Sequence, residues 1–306
     1  MKKLKIAYVC QFPGYENDFI FRLIKHLHAS GVEQVSPKLC DLLIVGPFAQ
    51  KWLGLRLKFR SVYKLIMAGR RYAPRTLYQT GENTRWNAIP ADFSISSDLG
   101  VSATNHFRFP LWMSMFDWTH EGFTSKGVDR FGPLVKIDQL LRPLGPQKGR
   151  RAQAVLISSH LKEPRVTLLN AVKSVMEVDC YGEAFASLSS RASRDFLKVD
   201  VCRDKQFALC PENSLYPGYY TEKIPDAFAC GCIPITWCDG NVCHDFNPNA
   251  IINMARYAAT GYAEGLRAAL EPKSLEMLRD QPLLLSRPTL DGIKAFLTTL
   301  LADLTS

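Results

Sequence analysis

Phe207 to Trp237 reads FALCPENSLYPGYYTEKIPDAFACGCIPITW. Phe207 to Cys210 is an apolar run of strand length, Pro211 to Tyr220 carries the Pro, Asn, Ser and Gly of a loop, and Thr221 has the side chain of a helix N-cap. The helix is predicted to end before Gly231, with Ile233 to Trp237 as the next strand. Strand, loop, helix and strand in this order predict one step of a parallel sheet. The loop then lies beyond the carboxyl end of the first strand, where open α/β sheets take their ligands. Glu222 and Lys223 stand at that place.

The same alternation extends in both directions. Upstream, AVLISS from Ala154 reads as a strand, followed by a helix with Pro164 in its early turn and by the strand-like VDCYG near Val178. Earlier still come strand-like KIAYVC from Lys5, helical DFIFRLIKHLHAS closed by Gly31, DLLIVG from Asp41 and TLYQT from Thr76, with apolar stretches at Phe93 to Ile95 and Phe107 to Trp112. Between Gly122 and Arg151 the pattern loosens into glycines, prolines and basic residues, which marks a domain connection. The expectation is an α/β protein of two Rossmann-like domains, residues 1–148 and 149–306. Leu290, Ile293, Phe296, Leu297, Leu300, Leu301 and Leu304 recur at helical spacing. That stripe predicts a packed last helix over about 288–304, with the N-terminal domain as one candidate for the surface it covers.

The chain has 306 residues, 47% hydrophobic and 22% charged, enough apolar material for real cores and too little bias for disorder. Gln11 to Gly14 interrupts the first apolar run before it reaches signal-peptide length, and nine cysteines are an odd number, so reduced thiols and a cytoplasmic compartment are expected. The net charge of +9 implies an anionic partner. Much of it falls in residues 51–75, where eight Lys and Arg alternate with Trp52, Leu53, Leu55, Leu57, Val62, Leu65 and Ile66. The spacing predicts a basic amphipathic helix, either a solvated face or a peripheral contact with anionic membrane on the inner face of the plasma membrane. No nucleic-acid-binding motif accompanies the charge.

At the start of the predicted helix, backbone N–H groups and the Lys223 charge suit a diphosphate, while a carboxylate at Glu222 can accept from two neighbouring ribose hydroxyls. A glutamate that merely complements the helix dipole explains the dipeptide equally well. Asn213, Ser214, Tyr219 and Tyr220 add polar and stacking groups beside it. Arg165 also sits near a helix start after a strand, where a guanidinium can clamp phosphate with two bonds.

These residues closely resemble the signature of the alpha-1,3/4-fucosyltransferases, bacterial type, in which E-N-S/T, G-Y-x-T-E-K and I-P-x-x-W recur. The matching positions are Glu212 to Ser214, Gly218 to Lys223 and Ile233 to Trp237. YQTGENTRWN from Tyr78 and FRFPLW from Phe107 resemble two further elements of that family, and E-P-R-V-T at Glu163 a weaker one. The resemblance implies a GT-B fold of two Rossmann-like domains across a cleft, with an N-terminal acceptor domain and a C-terminal donor domain. It implies inverting transfer of L-fucose from GDP-β-L-fucose to an N-acetylglucosamine-type hydroxyl of a glycan, such as a lipopolysaccharide or lactosamine acceptor. Glu222 would then hold the ribose, Lys223 and Arg165 the diphosphate, and Asn213 and Tyr219 would line the donor pocket. Glu82, in a loop after a strand of the other domain, would be the general base.

No Asp-x-Asp element suited to a nucleotide-bound divalent ion accompanies these residues, so the chemistry is expected to need no metal and no cofactor beyond the donor substrate. Cys230, Cys232, Cys238, Cys243 and His244 form a competing zinc reading, but their spacing follows no standard zinc pattern. A transferase of the same architecture acting on another GDP-sugar and a non-catalytic glycan or nucleotide binder are the remaining alternatives.

Overall fold

The computed structural model describes residues 3–49, 74–124, 134–185 and 198–304. The predicted basic helix over 51–75 falls outside the described residues except for its end. There Arg75 opens a strand instead of closing a helix, and its guanidinium meets Asp303 at 2.7 Å and Asp92 at 3.8 Å.

The chain divides into two compact units. Unit 1 is Met1–Ser114, Trp118–Val128 and Pro288–Ser306; unit 2 is Met115–Asp117 and Asp129–Arg287. In unit 1, β1 (Leu4–Val9), α1 (Phe19–Leu27), β2 (Val32–Gln34), β3 (Leu42–Val45), β4 (Arg75–Gln79), β5 (Phe93–Ser96) and β6 (His106–Arg108) follow one another. The strands form a sheet in the order β2-β1-β3-β4-β5-β6, and every pairing is parallel. The LLIV run of β3 is buried on both faces, as an inner strand of a parallel sheet must be. Asp18 caps α1 by accepting from the Ile20 N–H at 2.9 Å, and the helix buries Phe19, Ile20, Phe21, Leu23 and Ile24.

Unit 2 contains α2 (Ile137–Leu140), β7 (Arg151–Ile157), α3 (Arg165–Lys173), β8 (Val178–Tyr181), α4 (Lys198–Cys202), β9 (Lys205–Leu209), α5 (Lys223–Ala229), β10 (Ile233–Thr236), β11 (Ile252–Asn253), α6 (Tyr262–Ala269) and α7 (Pro272–Arg279). Its sheet is again all parallel, in the order β11-β10-β9-β7-β8. Leu156, Phe207, Leu209, Ile233 and Ile235 of the sheet pack with Leu168, Leu169 and Val172 of α3 and Leu266 of α6 in one core. Burial of each such side chain stabilises by about 1.5–3 kcal/mol. Pro234 sits in an inner strand, where a missing N–H ordinarily breaks a ladder. The Ile235 carbonyl accepts from Cys210 of the β9 side, so Pro234 is turned toward β11, and β11 pairs only from Ile235 onward. No ladder bond is lost.

Both sheets share one order. Counted from the first strand of each unit both read 2-1-3-4-5, with β6 added as a sixth strand in unit 1, which places a switch point between β1 and β3 in unit 1 and between β7 and β9 in unit 2. The final helix, α8 (Asp291–Asp303), belongs to unit 1. Phe296 packs on Phe93 and Phe107 with ring centroids 6.0 and 5.5 Å apart, Lys294 pairs with Glu121 at 2.9 Å, and the Glu121 carboxylate accepts from the Leu290 N–H. No helix among the described residues is long and apolar enough to cross a membrane.

Candidate functional site

Arg165 is the first residue of α3, reached from the carboxyl end of β7 through the loop from Ser158. Its guanidinium is buried and bonded from two sides. Nη1 donates to Ser158 Oγ at 3.0 Å, to the His160 carbonyl at 3.2 Å and to His160 Nδ1, while Nη2 donates to Asn213 Oδ1. Nε and the second Nη2–H have no partner among the described residues. Ser158 is itself fixed by Gly182, whose φ of +100° and close approach to the Ser158 carbonyl leave no room for a side chain. Burial pulls the Arg165 guanidinium below its ordinary pKa, and Glu212, Tyr219 and Glu222 oppose that shift.

Asn213 lies in the loop after β9, on the other side of the same switch point, and its amide donates to the Tyr219 hydroxyl at 3.3 Å. Arg165, Asn213 and Tyr219 thus form one hydrogen-bonded chain across the carboxyl ends of β7 and β9. The loop continues to α5, where Glu222 is the N-cap and Lys223 the first helical residue. Glu222 is only 8% exposed, yet its carboxylate takes no hydrogen bond or ion pair among the described residues. Lys223 Nζ donates to Thr221 Oγ1 at 2.7 Å and to Glu212 Oε2 at 3.1 Å. Burial by itself would lower the Lys223 pKa, but Glu212 and Glu222 outweigh it and hold the ammonium above its ordinary value.

Two expectations about this loop are corrected. Thr221 is not the N-cap, because its hydroxyl and N–H are both committed to the Glu212 carboxylate, at 2.9 and 2.7 Å, and the cap position passes to Glu222. Glu222 has helical backbone angles and caps nothing with its side chain. The helix start is also a weaker source of positive potential than the sequence suggests, since α5 spans seven residues. The cationic character comes from the side chains of Lys223 and Arg165. Pro164, read as part of the early helix, is the N-cap of α3.

Glu82 belongs to unit 1, in the loop after β4. Its N–H donates to Thr80 Oγ1 at 3.0 Å and its carbonyl accepts from the Thr84 N–H at 2.7 Å, so the backbone is held on both sides. The carboxylate takes no hydrogen bond or ion pair among the described residues. Beyond it, Asp98 accepts from Arg85 and from the Trp86 N–H and pins the rest of the loop.

Sequence reasoning assigned no role to Ser158, His160 or Glu212, all of which hold predicted site residues in place. The last was visible as the first residue of the E-N-S element, but its burial was not. Among the described residues no group of three or more His, Cys, Asp or Glu is arranged to hold a metal ion, and all nine thiols are free.

Two all-parallel, doubly wound sheets in one chain, the second with charged side chains gathered at its switch point, define a protein of the GT-B class. Residues 146–271 match the model of the C-terminal domain of glycosyltransferase family 10 (fucosyltransferase). The chain carries a domain that matches this family over those residues, 126 of its 306. It is similar to an alpha-(1,3)-fucosyltransferase of Helicobacter pylori, 31% identical over 92% of this chain, and it spans 59% of that relative's length. Its fold matches the crystal structure of an alpha1,3-fucosyltransferase with GDP-fucose at a TM-score of 0.65 and 21% identity, covering 99% of this chain and 91% of the other. The corresponding structure with GDP gives a TM-score of 0.61 at 20% identity, over 99% and 91% of the two chains.

Proposed function

We propose that this protein is an inverting alpha-1,3-fucosyltransferase that moves L-fucose from GDP-β-L-fucose to an N-acetylglucosamine-type hydroxyl of a glycan. The observation that carries the reading is Glu222, a nearly buried carboxylate with no hydrogen-bond or ion-pair partner among the described residues, set beside the two cations Lys223 and Arg165 at the switch point of unit 2. A ribose diol satisfies the carboxylate and a diphosphate satisfies the cations. The match to a fucosyltransferase domain and the names of the relatives support fucose as the sugar.

In the reaction, Glu82 of unit 1 accepts the proton of the acceptor hydroxyl as that oxygen forms its bond to the fucose anomeric carbon from the face opposite GDP. The bond between that carbon and the β-phosphate oxygen breaks, and its electron pair leaves with GDP. Lys223 and the free edge of Arg165 stabilise the negative charge that develops there, while Asn213 and Tyr219 keep the arginine in register. No step requires a metal ion.

The test is incubation with GDP-fucose and a panel of lactosamine, lacto-N-biose and lipid-linked glycans, followed by linkage analysis. An alpha-1,3-fucosylated product is expected. Transfer from a different GDP-sugar alone would replace the donor assignment, and GDP binding without transfer or hydrolysis would reject the enzymatic reading. Lipid-linked acceptors would bring the protein to a membrane surface, where the basic residues of 51–75 give it affinity for anionic lipid. Equal binding to anionic liposomes after neutralising those residues would exclude that contact.

A further inference from the structure

Glu212 presents a contradiction that its surroundings resolve. It is 0% exposed and stands within hydrogen-bond distance of one of the two cations assigned to an anionic ligand. A carboxylate there opposes the binding of a diphosphate through space, and its own burial is costly unless it is fully paired. Its retention has to come from what it holds.

The proton inventory shows what that is. Glu212 Oε1 accepts from the Thr221 N–H at 2.7 Å, and both carboxylate oxygens lie within 3.0 Å of Thr221 Oγ1. A hydroxyl has one proton to give, so Thr221 donates to the carboxylate and accepts from Lys223 Nζ at 2.7 Å. Lys223 donates a second N–H to Glu212 Oε2 at 3.1 Å. An ammonium has three N–H bonds; two are fixed by Thr221 and Glu212, and the third has no partner among the described residues. The Glu212 N–H is tied to the Trp237 carbonyl at the end of β10, at 3.0 Å, which anchors the triangle of Glu212, Thr221 and Lys223 to the sheet.

We infer that Glu212 is a positioning residue, which locks the Lys223 ammonium in one orientation with a single N–H directed to the leaving diphosphate. The inference deepens the donor-site reading and rests on it. It turns a flexible point charge into a directional donor, so the rotamer entropy of the lysine is lost on folding and not on binding.

Positioning and simple electrostatics predict opposite signs. Glu212→Gln removes a negative charge from the anion site, which by charge alone tightens GDP binding. If Glu212 acts by alignment, the amide Nε2 that replaces one oxygen cannot accept from Lys223, the triangle opens, and GDP binding weakens by about 10-fold to 100-fold. The pH profile supplies a readout that a structural role alone does not move. Lys223 is surrounded by Glu212, Glu222 and Tyr219, with Asp226 on α5 and Cys210 after β9 also within electrostatic reach. Removing the first of these carboxylates shifts the alkaline limb of GDP binding to lower pH.

The experiment is calorimetric titration with GDP as a function of pH for wild type, Glu212→Gln and Thr221→Val, with folding checked by near-UV circular dichroism. Weaker binding and a down-shifted alkaline limb in Glu212→Gln are expected, with a smaller loss in Thr221→Val, which removes one of the two Nζ anchors. If Glu212→Gln does not fold, Thr221→Val carries the decision. Wild-type affinity and an unmoved limb in the folded variants overturn the inference alone. Absence of GDP binding by the wild type overturns the donor-site reading and the inference together.

Discussion

Replacing Arg165 with lysine keeps a cation beside the proposed diphosphate and removes its planar fork, which separates charge from geometry. In the structure Nη1 is occupied by Ser158 and His160 and one Nη2–H by Asn213, so Nε–H and the remaining Nη2–H are the pair offered to a ligand oxygen. Two charge-assisted bonds contribute about 1.5–3 kcal/mol each, and a lysine recovers one of them at best. The expected net loss for Arg165→Lys is therefore about 1.5–3 kcal/mol, roughly 10-fold to 150-fold in the GDP dissociation constant. Arg165→Ala loses both bonds and leaves Ser158 Oγ and Asn213 Oδ1 without their donor, so it binds GDP more weakly than the lysine variant and melts at lower temperature. Isothermal titration at fixed salt, paired with thermal melts, measures both terms. An Arg165→Lys variant that binds GDP within about threefold of wild type, a difference under roughly 0.7 kcal/mol, would refute the bidentate role.

Three further outcomes are expected. Glu82→Gln is isosteric, so GDP affinity stays near wild type while turnover falls about 100-fold or more, as expected on removing a positioned base; near-normal turnover removes Glu82 from the mechanism. EDTA leaves fucosyl transfer unchanged, and an activity lost to the chelator and restored by a divalent cation contradicts the assignment of phosphate charge to Lys223 and Arg165. The Asp226 carboxyl is pushed up to about 6 from an ordinary 3.8, first by burial, with Lys198 pulling it down and Glu222 pushing it up. Because the folded chain then holds this proton more tightly than the unfolded chain, stability decreases as pH rises from about 3.8 to about 6 and levels off above that. Asp226→Asn flattens that slope in thermal melts, and an unchanged slope assigns the titration to another group.

The switch-point architecture of unit 2 was legible in the sequence because strand, helix and glycine signals coincide. Ile233 to Thr236 is apolar and bounded, and Gly231 takes a φ of +82° just after α5. Two strands escaped because they are too short to carry a pattern. Residues Val32 to Gln34 are short, half-polar and at a sheet edge, so they show no alternation, while β11 has two residues. The site was readable as a set of residue types at the carboxyl ends of strands, and Arg165, Asn213, Tyr219, Glu222 and Lys223 do gather there in unit 2. What the sequence did not disclose is which polar groups are already spent. Thr221 has the side chain of a cap, but a buried carboxylate nine residues upstream in the chain claims both its donors. Competition of this kind depends on a loop closing back on itself, which no local pattern encodes.

The return of α8 to unit 1 gives the two units unequal standing during synthesis. Apart from Met115–Asp117, unit 2 is a continuous stretch that is complete once Arg287 has emerged, whereas unit 1, although begun first, still awaits its last piece. Until that helix arrives, Phe93 and Phe107 lack the cover of Phe296, Glu121 lacks Lys294, and Arg75 lacks Asp303. The half that is translated first is therefore the half that matures last, and a nascent chain halted near residue 287 carries a finished second unit behind an unfinished first one.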